Sequence, residues 1–83
     1  MDYEILTVKG YWRDVSKNEY AVNIAIGYWE EINTENIKEA DEIFYYFDLE
    51  YEEKPNIEVG DTIADGFVIT KIYGKENING NFK

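Results

Sequence analysis

The side chains available for chemistry in this chain are carboxylates. It carries 18 Asp and Glu against 8 Lys and Arg, with no His and no Cys. The commonest general base, the thiol nucleophile and the usual zinc ligands are therefore missing together. No Ser or Thr sits in a Gly-x-Ser-x-Gly elbow, and no phosphate-binding loop or dinucleotide fingerprint occurs. A paired-carboxylate hydrolase needs a cleft, and 83 residues leave little room to enclose one. The stretch from Asp61 to Gly66 has the look of a calcium loop. It lacks the alternating ligands and the closing glutamate of an EF-hand, and Asp65-Gly66 reads better as a hairpin turn. The expectation is a protein without catalytic residues, metal or cofactor.

What the carboxylates can do is present charge, and they are unevenly placed. Residues 30–65 hold 13 acids and 2 bases, a net charge of -11, whereas the flanking segments nearly balance to give -10 for the whole chain. A charge of this size keeps a protein soluble, steers it toward positive surfaces and repels nucleic acid and anionic membrane. Direct contact with either is not expected. The bland account of such a block is a solvated surface that prevents aggregation. The sharper account is an imitation of nucleic-acid phosphates, which calls for many carboxylates on a rigid frame with few bases nearby. The candidate contacts are Asp48, Glu50, Glu52 and Glu53, reinforced by Glu30, Glu31, Glu39, Asp41 and Glu42. Tyr46, Trp12 and Trp29 are candidate rings for apolar or arginine-rich parts of the same partner. The partner expected is a basic protein, in particular a nucleic-acid-binding enzyme such as a CRISPR effector or restriction nuclease. A phage or mobile-element inhibitor fits that description. The alternative is a structural or regulatory interaction domain that uses aromatic surface to self-associate, to engage another protein or to mask a toxin.

These residues need a frame. One domain, residues 1–75, is expected, followed by a polar tail at 76–83 that frays. With no disulfide to staple it, the fold must rest on apolar burial; 45% hydrophobic and 17% aromatic residues make that feasible and argue against wholesale disorder. No apolar run reaches the length of a membrane span, and the start of the chain has no signal-peptide pattern, so a cytoplasmic setting is expected.

Period-two alternation then locates strands. Residues 2–13 form a first strand, with Leu6, Val8 and Trp12 on one parity and a bulge or bend at Gly10. Residues 20–29 form the clearest strand: Tyr20, Val22, Ile24, Ile26 and Tyr28 line one face, and Ala21, Asn23, Ala25 and Gly27 the other. The small face leaves room for something to lie against it. A hairpin is the simplest link between these strands. Both end in Gly-Tyr-Trp, read as a glycine bend with an aromatic plug; the alternative is a pair of exposed Trp anchors. Residues 30–41 suggest one or two helical turns capped by Asn33 or Thr34. The stretch 42–53, EIFYYFDLEYEE, is expected as the central strand. Its odd positions, Ile43 to Tyr51, face the core, and Asp48, Glu50 and Glu52 form a row at ~6.6–6.8 Å spacing if the strand continues. Pro55 ends it, Gly60-Asp61 turns the chain, and 67–73 is a last strand after the Asp65-Gly66 turn. The fold class is mainly β or α+β: a small antiparallel sheet or barrel of four or five strands with one short helix.

Overall fold

The computed structural model describes residues 2–33, 35, 37, 40 and 43–79. It is mainly β. The strands are β1 (Asp2–Trp12), β2 (Tyr20–Gly27), β3 (Phe44–Asp48), β4 (Thr62–Ile63) and β5 (Phe67–Asn79), forming one sheet in the order β3-β2-β1-β5-β4 that curls into a half-barrel. Antiparallel pairing joins β1 to β2, β1 to β5 and β4 to β5, while β2 and β3 run parallel.

The β1–β2 hairpin sets the two faces. Pairing of Leu6 with Ile24 and Val8 with Val22 brings the apolar parities together. They bury the concave core of Leu6, Val8, Val22, Ile24, Ile26, Phe67 and Ile69. The other parity of β1 and β2 carries Tyr3, Ile5 and Ala25, and it is buried too, under Ile32 and Ile37. The face of small residues on β2 is therefore covered by the chain itself as it crosses toward β3, as a parallel connection requires. Gly27 makes this possible, because a Cβ there would lie 2.6 Å from the Cβ of Tyr3. Buried Asn23 is satisfied at 2.8 Å by the hydroxyl of Thr7, which donates to its Oδ1.

Curvature comes from β5. Its register against β1 shifts between Thr7 and Val8 and again between Lys9 and Gly10, and each shift bends and twists the strand. The bulge or bend expected in β1 at Gly10 lies on β5 instead, where Thr70 is the extra residue opposite, and β1 keeps its register with β2 through Gly10. Position 10 still demands glycine: an added Cβ would meet the Val68 carbonyl oxygen and the Phe67 ring. At the β4–β5 turn, Asp65 and Gly66 take positive φ values of 61° and 78°, as the Asp-Gly signal implies. Gly60 takes φ 98° before Asp61, whose N–H donates to the Glu58 carbonyl, the position that favours glycine in a type II turn.

Four further expectations need correction. The stretch around residues 42–53 is not the central strand. Its strand, β3, is a short edge strand, and β1 is central. Alternation reveals which face a residue occupies, but not which strand lies beside it. No α-helix occurs among the described residues; the segment after β2 makes a 3-10 turn at Trp29–Glu31, and positions 34, 36, 38, 39 and 41 of the expected helix lie outside the described residues. Too short a run to be helical alone, it instead lays apolar residues on the sheet. Tyr51 does not face the core but is 80% exposed, because β3 has already ended. Finally, β5 runs on to Asn79, into the stretch 76–83 expected to fray, where it pairs with the start of β1; residues 80–83 lie outside the described residues.

Candidate functional site

Asp48 organises the end of β3. Its Oδ1 accepts the backbone N–H of Trp29 at 3.2 Å and of Glu50 at 3.0 Å. Its carbonyl accepts the N–H groups of Tyr51 and Glu52, both at 3.0 Å. A short carboxylate bonding the backbone two residues on is turn chemistry, and it stops the strand there. The row of Asp48, Glu50 and Glu52 at strand spacing is consequently not made. Asp48 instead acts as a tie, holding the Trp29–Glu31 turn beside the turn that follows β3. Glu30 and Glu50 are exposed on these adjoining turns, Glu31 is half-buried, and Glu52 and Glu53 follow, exposed, on the way to Pro55. Of the remaining predicted contacts, Glu39, Asp41 and Glu42 lie outside the described residues.

The same end of the sheet displays rings. Trp29 and Tyr46 have centroids 4.7 Å apart with planes inclined by 30°, and Phe44 lies 6.3 Å from Tyr46. Trp29 is 46% exposed and Tyr46 45%, with Tyr28 beside them at 44%. Tyr46 pairs with Ala25 across the β2–β3 ladder, so small neighbours give the stacked rings space on the outer face.

Trp12 belongs elsewhere. It lies inside the half-barrel, 4.7 Å from Phe67 in an edge-to-face arrangement and 5.6 Å from Tyr20. Its Nε1–H donates to the Tyr45 hydroxyl at 2.9 Å. Burial pushes the Tyr45 hydroxyl above its ordinary pKa, the Trp12 hydrogen bond opposes this, and the charge of Asp65 adds to the rise. Of the candidate rings, Trp12 is thus a plug of the half-barrel, whereas Trp29 is exposed beside Tyr46. The place of Trp29 on the small-residue parity of β2 was the available signal.

At the open end of the concave face, Glu4 meets Lys54 at 2.6 Å and Lys75 at 3.9 Å. The Glu4–Lys54 pair latches the segment after β3 to the sheet, between clefts of about 370 and 520 Å³ that share Glu4, Ile26 and Lys54 in their walls. Among the described residues, no group of three or more Asp or Glu side chains is placed to hold a metal ion. No helix among them is long and apolar enough to cross a membrane.

No protein-family model, curated protein or solved structure matches the chain. Function is accordingly read from the residues at the end of β3 themselves.

Proposed function

We propose that this is a non-catalytic acidic binding protein that docks on the basic surface of another protein, with the nucleic-acid groove of a nuclease as the target class. The observation that carries the reading is the exposed Trp29–Tyr46 pair, 4.7 Å apart, beside the acidic turns tied together by Asp48. Exposed stacked rings bury little area in the free protein, and carboxylates next to them are the complement of arginine. Guanidinium groups stack on aromatic faces and pair with carboxylates in the same contact. A groove that holds phosphates and stacked bases offers those partners.

The test is capture of the partner from a native-host extract, followed by release with salt and with competing DNA or RNA. The expected result is steep loss of binding with salt, displacement by oligonucleotide, and abolition by the combined E30K, E50K and E52K changes. Asp48 is left intact in this variant because its loss would disturb the turns. A captured protein that the triple variant binds as tightly as the wild type would end the mimic reading.

The second reading is an interaction domain whose rings act without charge, favoured by the exposure of Trp29, Tyr46 and Tyr28. In that case W29A removes binding, charge reversal does not, and salt has little effect.

A further inference from the structure

The open edge of β3 gives the proposed partner a form. β3 pairs with β2 on one side and, among the described residues, has no neighbour in the sheet on the other. The Leu49 N–H donates to the Gly27 carbonyl at 2.7 Å. Backbone polar groups in a strand alternate in direction, so Tyr45, Phe47 and Leu49 turn theirs toward β2, while Phe44, Tyr46 and Asp48 turn theirs away. The outward Asp48 carbonyl is taken by the turn that follows. The N–H and C=O of Phe44 and Tyr46 are left as the free rung of the ladder.

Edge strands are commonly protected by being very short or by carrying Lys, Pro or a bulge. β4, the other edge, is only two residues long. β3 reads Phe-Tyr-Tyr-Phe-Asp and has none of these devices. It is instead bracketed in sequence by acids, Asp41 and Glu42 before it and Asp48, Glu50, Glu52 and Glu53 after it. Pairing with a second copy would bring acidic flanks together in either direction, in a chain of net charge -10. The same flanks favour a basic segment. A residue opposite Tyr46 on an added strand would have its Cβ roughly 4.5–5.5 Å away, which lets an arginine lie over the ring that Trp29 already backs.

We infer that an extended, arginine-bearing segment of the partner adds to the β3 edge as a sixth strand, bonding the backbone of Phe44 and Tyr46 and laying a guanidinium on Tyr46. This rests on the basic-partner reading and specifies how it is met; strand addition supplies affinity through the main chain and specificity through alternate side chains.

The probe is a capped octapeptide of alternating Arg and Val, with three controls: Arg replaced by Glu, alternate peptide nitrogens methylated in either register, and the Y46P and Y46A proteins. Amide hydrogen exchange is read by NMR. Proline at 46 removes an outward N–H and leaves the β2 ladder intact, so comparing it with Y46A isolates the edge bond from the ring. The expected result is slowed exchange at Phe44 and Tyr46, at least tenfold weaker binding by Y46P than by Y46A, and at least tenfold weaker binding of the peptide methylated in the pairing register. Arginine peptide that binds with unchanged exchange at Phe44 and Tyr46, or equally well in both methylated forms, overturns strand addition and leaves the basic-partner reading standing. Failure of the arginine peptide to bind better than the glutamate peptide at low salt overturns both. The methylated peptides keep the test decisive on wild-type protein if Y46P does not fold.

Discussion

The tripeptide Gly-Tyr-Trp occurs at the end of β1 and again at the end of β2, and the two copies end in opposite surroundings. Gly10 and Trp12 face the concave core, where the indole meets Phe67, Tyr20 and Tyr45. Gly27 lies under Tyr3 on the other side of the sheet, and Trp29 stands half exposed against Tyr46. The glycines do the same job in both places, letting another part of the chain approach where a Cβ would collide. The tryptophans do different jobs. Parity decides: the motif occupies the core parity of β1 and the small-residue parity of β2. Local sequence identity is therefore no guide to role until the face has been assigned.

Substitutions can break or sharpen that contrast. The largest effect is expected for W12A, which should cost about 3–5 kcal/mol by emptying part of the core; chemical denaturation measures it. G10A and G27A should each cost about 1–3 kcal/mol, because neither site has room for a methyl without shifting its neighbours. If G10A were neutral, the close approach of Phe67 and Val68 would not constrain the fold. D48A should cost about 1 kcal/mol through its lost backbone hydrogen bonds, and it should loosen the turns bearing Glu30 and Glu50, visible as faster amide exchange at Trp29 and Glu50.

Tyr45 links the core copy of the motif to pH. Its hydroxyl holds its proton to a higher pH in the folded chain than the ordinary 10.0, chiefly because it is buried. The folded state therefore binds more protons in that range, and stability falls as pH rises. The Tyr45 contribution is whole below 10.0 and is lost as pH climbs through the raised value. Y45F should flatten that part of the alkaline limb in a pH series of thermal melts. The smallest effect on stability is expected for W29A, within about 0.5 kcal/mol, as for a surface site. A large loss there would return Trp29 to the core and remove the contrast.

Much of the frame could be read in advance. The β1–β2 hairpin, the two parities of β2 and the Asp65-Gly66 turn each follow from side-chain alternation or backbone permissiveness, which act locally. The small face of β2 correctly signalled a covering layer; that the cover is Ile32 and Ile37 of the same chain depends on a crossover that local pattern does not encode. The position of β3 at the edge, parallel to β2, was hidden for the same reason. The acidic row failed through a competition invisible in period-two counting. Asp48 can bond its own backbone, and once it does, Glu50 and Glu52 belong to a turn. Tyr46 and the acids of the adjoining turns were named from sequence, but their meeting with Trp29 depends on that tie.

The central place of β1 has a consequence for how the chain comes to be folded. β1 is made well before one of its two neighbours, β5, with Asp2 opposite Asn79 and Trp12 opposite Phe67. Such distant partners must be brought together against the entropy of closing a long loop, which slows folding. During synthesis the β1–β2 hairpin can form first, but Trp12 has no Phe67 to close upon until β5 emerges. Until then the nascent chain holds an unfinished, aromatic-rich sheet, and negative charge opposes the association of such chains.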